Sequence, residues 1–122
     1  MKKINLAYLF LIFLFSCGSE PSTPSEVAEA YFTSLSDGDF KKAESYSTPD
    51  GIKMVRLMKG FYLAALESDD EDVPDFTVFG ITGEEINGDS AIVKYKEKED
   101  GDVKSLNLIK INGSWKVDFK KD

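Results

Sequence analysis

The hydrophobic pattern of this chain changes period once, and that change limits the fold more than any other feature. From Val27 to Leu66, apolar residues recur every three or four positions, the spacing of helices with one buried face. Glu67 to Asp75 is then acidic, and beyond it the alternation becomes twofold, the spacing of strands. Helices first and a run of strands afterwards predict an α+β domain, with N-terminal helices packed on one face of a curved antiparallel sheet.

Local signals set the boundaries. Thr23-Pro24-Ser25-Glu26 is a capping box, with Thr23 at the N-cap, Pro24 where its missing N–H costs nothing, and Glu26 reaching back. Val27, Ala28, Tyr31, Phe32 and Leu35 follow on one face, and Asp37-Gly38 ends the run. Asp39 caps a short second helix with Phe40, Ala43 and Tyr46 on its apolar face. Thr48-Pro49 repeats the cap-then-proline signal and opens a longer third helix. Its apolar band, from Ile52 to Leu66, is wide and predicts deep burial. Gly60 within it costs about 1 kcal/mol against alanine, which points to close packing or a break there.

Strands are expected at 76–81, 90–96 and 103–111, with Asn87-Gly88 as a turn signal between the first two. Asn112-Gly113 then folds a last strand back as a hairpin, with Trp115, Val117 and Phe119 facing in and Ser114, Lys116, Asp118 and Lys120 facing out.

The N-terminus carries a different kind of information. Met1-Lys2-Lys3, an apolar run from Ile4 to Phe15, and the small residues Ser16 to Ser19 have the three-part layout of an export signal. The run is too short for the ~20 residues of a spanning helix. Leu14-Phe15-Ser16-Cys17 resembles the lipobox of bacterial lipoproteins, in which the thiol takes a diacylglyceryl group and the chain is cut before it. That resemblance makes residues 1–16 a cleaved signal peptide, Cys17 the lipid attachment site and 17–23 a polar tether ahead of a domain at 24–122. Two or more acyl chains, at about 0.8 kcal/mol per buried methylene, hold a protein on a membrane durably.

Removal of residues 1–16 leaves 106 residues, enough for one small core. Cys17 is the sole cysteine and histidine is absent, so disulfides within the chain, histidine bases and the usual zinc sets are excluded. The cleaved chain carries 13 basic and 22 acidic side chains, a net charge of −9. Such a surface is repelled by phosphate backbones, so nucleic acid is not an expected partner, and membrane contact is expected from the lipid and not from a basic patch.

Residues 24–119 resemble the small cone-shaped NTF2-like domains, in particular bacterial lipoproteins with a DUF4878-type domain. The likeness rests on Pro24-Ser25-Glu26-Val27-Ala28 with Tyr31-Phe32, on Asp37-Gly38-Asp39-Phe40-Lys41-Lys42-Ala43 and on Asn112-Gly113-Ser114-Trp115-Lys116-Val117. A cystatin-like arrangement is the nearest rival. No strand is evident between the second and third helices, where many NTF2-like proteins have one, which predicts a shallow pocket. Enzymes of that fold place an aspartate with a tyrosine or histidine inside the cone. No carboxylate of this chain matches that position, so no catalytic residue and no cofactor is expected.

Tyr31, Phe61, Tyr62 and Trp115 are the candidate lining of a pocket, against the plainer reading that the tyrosines and the tryptophan are core side chains. Asp69-Asp70-Glu71-Asp72, with Asp75 nearby, lacks the spaced order of a calcium loop and reads as a solvated loop, so no metal is expected. The implied role is a non-catalytic envelope module, anchored by Cys17, that binds a small apolar ligand or a partner protein. An isomerase or dehydratase using the pocket, and an immunity-type or structural lipoprotein whose acidic face meets a basic partner, are the alternatives. Gly18 after the cysteine, where many inner-membrane lipoproteins carry aspartate, favours the outer membrane.

Overall fold

The computed structural model describes residues 20–68 and 73–119. Three helices come first: α1 (Pro24–Ser36), α2 (Phe40–Ser45) and α3 (Pro49–Glu67). Four strands follow, β1 (Gly80–Asn87), β2 (Ser90–Lys96), β3 (Val103–Ile111) and β4 (Ser114–Asp118), forming one antiparallel meander in the order β1-β2-β3-β4. The protein is thus α+β, as the change of period predicts.

Each helix starts at its expected cap. Thr23 Oγ1 accepts from the Glu26 N–H while the Glu26 carboxylate accepts from the Thr23 N–H, closing the box. Gly38 leaves α1 at φ 77°, which a glycine adopts without strain, and the Asp39 and Gly38 N–H groups cap the Ser34 and Leu35 carbonyls. Asp39 caps α2 and Thr48 caps α3.

The core lies between α1 and the inner sheet face. Val27, Ala28, Tyr31, Phe32 and Leu35 from α1 meet Ala91, Val93, Leu108, Trp115 and Val117 from the sheet, with Phe40, Ala43 and Val55 closing one end. Ala91, Leu108 and Val117 are direct cross-strand neighbours, so one buried row crosses three strands. β2, β3 and the Asn112-Gly113 turn fall where the sequence places them, with Asn112 and Gly113 at φ 52° and 83°.

Four expectations need correction. The first strand runs over Gly80–Asn87, not 76–81: Phe76 and Val78 pack on the core from an irregular segment. β1 is an edge strand with a bulge between Ile81 and Gly83, and both features erase the alternation that marks a strand. Phe119 is 40% exposed, because β4 ends at Asp118 and the chain leaves the core. α3 is not deeply buried: only Gly51, Val55 and Ala65 are fully covered, with Met58 and Tyr62 partly so, since the helix meets the sheet chiefly at β4. Gly60 neither breaks the helix nor packs closely, as a Cβ there would meet nothing within 4 Å.

Between α2 and α3 there is no strand, only a single parallel bridge between Ser47 and Val117. It anchors α3 all the same. The Val117 N–H donates to the Tyr46 carbonyl, the Thr48 N–H to the Val117 carbonyl (2.7 and 2.9 Å), and Thr48 Oγ1 donates to Asp118 Oδ1 at 2.7 Å. Gly51 sits against this junction so closely that a Cβ would lie 2.5 Å from the Val117 oxygen.

Candidate functional site

Of the four side chains expected to line a pocket, Tyr31 and Trp115 lie in the core, Tyr62 packs against it and Phe61 is on the outer surface. Tyr31 is in the core beside Phe32, and burial, helped by Tyr95, pushes its phenol up to about 12. Tyr62 is half-buried and packs on Phe40, ring centroids 5.3 Å apart. Phe61, the next residue along α3, is 62% exposed. Trp115 is 7% exposed, with the Lys110 ammonium 5.5 Å from its ring centroid. Cys17 lies outside the described residues, as does Asp69–Asp72.

Of these four, Trp115 alone borders a surface cleft described here. That cleft, about 400 Å³, lies where the N-terminal segment meets the hairpin, between Glu20, Pro21, Val27, Tyr46 and Trp115. Lys116 closes one side, its ammonium donating to the Ser45 carbonyl at 2.8 Å. A larger groove of about 530 Å³ runs along α1 and α2 and was not anticipated from the sequence. Glu20, Glu26, Glu29, Asp37 and Asp39 line it against the single cation Lys42. Glu26, Glu29 and Asp37 recur at helical spacing on the face opposite the core residues, and that signal was available. Two of these carboxylates also serve the fold: the Ser22 and Thr23 N–H groups hold Glu26 below the usual carboxylate range, and Asp39 accepts from the Lys42 N–H.

Among the described residues the buried polar side chains are Ser34, Ser47 and Thr48. Each is spoken for: Ser34 and Ser47 donate to the carbonyls one turn back, and Thr48 to Asp118. The interior described here therefore offers hydroxyls tied to structure and a phenol held neutral, with no carboxylate beside it. No group of three or more potential metal ligands occurs among the described residues, and none of their helices is long and apolar enough to cross a membrane.

Comparison with known families gives one match, to a domain of unknown function (DUF4878), over residues 15–118. The chain belongs to the DUF4878 family. The match takes in Cys17 and every described residue up to Asp118. No curated protein and no solved structure matches the chain.

Proposed function

We propose that this DUF4878 protein is a lipoprotein of the bacterial envelope, held by acyl chains on Cys17 in the outer membrane, whose domain is a non-catalytic binding module. In this reading the domain is an NTF2-like cone filled by its own side chains. The filled interior carries the proposal: Phe32, Val93, Leu108 and Trp115 pack together in the core, and the buried Tyr31 phenol has no carboxylate beside it among the described residues. Binding then falls to the surface and a partner protein is favoured over an enclosed apolar ligand. The acidic groove along α1 and α2 favours a partner that presents basic side chains, recognised by charge pairing that weakens with salt.

The test is the intact mass of the chain purified from bacterial membranes. A mature protein that begins at Cys17 and carries acyl chains, and a Cys17→Ser variant that is neither processed nor acylated, is the expected pair. A chain cut elsewhere, without acyl chains, contradicts the anchoring.

A further inference from the structure

The outward side of α3 is unlike the rest of the surface. Met54, Leu57, Phe61 and Ala64 recur at i, i+3, i+7 and i+10 and form one stripe, with Leu57 and Phe61 more than half exposed. Lys53 and Arg56 border the stripe on one side, and no acidic residue occurs from Gly51 to Leu66, in a chain with 22 of them. Lys53 is paired loosely with Asp50 at 3.8 Å and Arg56 with Glu44 at 3.3 Å, and both cationic side chains stay largely in water. An apolar stripe edged on one side by cations matches a lipid surface, where the stripe enters the headgroup boundary and the Lys53 and Arg56 side chains reach the phosphates.

Pro21 shares a cleft with Ser45 and Tyr46, next to Ser47 and Thr48 where α3 begins. The described chain therefore meets its N-terminal segment near the start of α3, which brings the proposed attachment point at Cys17 close to that end of the helix. An antiparallel two-fold pairing of α3 through the stripe would bring the Lys53 and Arg56 rows of both copies to one seam, so a second copy fits the face less well.

We infer that α3 lies along the membrane to which the chain is tethered, with the Met54–Leu57–Phe61–Ala64 stripe in the headgroup boundary. This rests on the lipid anchor proposed above. The acyl chains hold the protein, and α3 sets the orientation, turning the acidic groove of α1 and α2 to a fixed position relative to the bilayer.

The test uses the full chain, processed in bacteria and reconstituted into phosphatidylethanolamine–phosphatidylglycerol vesicles, with a nitroxide on Phe61→Cys or, as control, on Ser105→Cys of the outer sheet face. Acylated Cys17 has no free thiol to compete for the label, and both positions are exposed, so neither change disturbs the core. The expected result is that collisions with a water-soluble nickel chelate fall about tenfold at 61 relative to 105 while collisions with oxygen rise, as for a helix in the interface. Lys53→Glu combined with Arg56→Glu restores the collisions at 61. Equal exposure of the two positions in a chain whose mass shows acylation overturns the orientation and leaves the anchor standing. Shielding that comes with spin–spin broadening at every protein-to-lipid ratio assigns the face to a second copy and overturns it too. A chain that carries no acyl groups overturns both readings.

Discussion

Helices α1 and α3 begin alike and end in different surroundings. Both open with Thr-Pro at the cap, and both carry a broad set of apolar side chains. On α1, Val27, Ala28, Tyr31, Phe32 and Leu35 all disappear beneath the sheet; on α3, Leu57, Phe61, Leu63 and Leu66 remain in water. The sheet makes the difference. β1, β2 and β4 all lie against α1, whereas α3 rests on α2 and the end of β4. A hydrophobic pattern states how much apolar surface a helix carries, and the topology decides how much of it the domain covers. The remainder is available to something outside the chain.

The contrast between a closed and an open helix can be broken most forcefully in the core. Leu108→Ala empties the middle of the buried row under α1 and is expected to cost about 3 kcal/mol, read from urea unfolding midpoints. A cost near that of an exposed site would mean that the row is not packed as described. Gly51→Ala acts on the junction that holds α3 to β4, since the new methyl group meets the Val117 carbonyl and the Ser47 side chain. A loss of about 2 kcal/mol is expected, with amide exchange rising along α3 more than along α1. Equal changes in the two helices would show that α3 is not the separately attached element.

The smallest effect sharpens the α1 side. The folded Glu26 carboxyl lies below its ordinary 4.5, chiefly through the Ser22 and Thr23 N–H groups. Its capping contribution is therefore complete above that pH and is lost as pH falls through the lowered folded value. Glu26→Gln should flatten this part of the acid limb when unfolding midpoints are followed from about pH 5 to pH 3, and an unchanged slope would remove Glu26 from the pH dependence.

Much of this architecture was legible in the residues. Thr23, Asp39 and Thr48 mark three helix starts, and Asn112-Gly113 marks the final hairpin, because caps and tight turns depend on neighbours in sequence. β2 and β3 are also legible, since Ala91, Val93, Leu106 and Leu108 keep the inner alternation. β1 was displaced because its bulge and open edge remove the periodic signal. For the four aromatic residues the sequence leaves a pocket and a core as alternatives, because an aromatic side chain looks the same in sequence whether it faces a cavity, a core or water. Tyr31 faces the core, Trp115 a cleft and Phe61 the outside, and only the placement of the sheet separates those three environments.

The most direct test is hydroxyl-radical footprinting of the free domain, residues 18–122, in water. Phe61 and Leu57 are expected to be oxidised many-fold faster than Phe40 and Leu108, as side chains of an open helix and of a filled core. Similar rates for Phe61 and Phe40 would contradict the account, because α3 would then be covered or the interior would admit water.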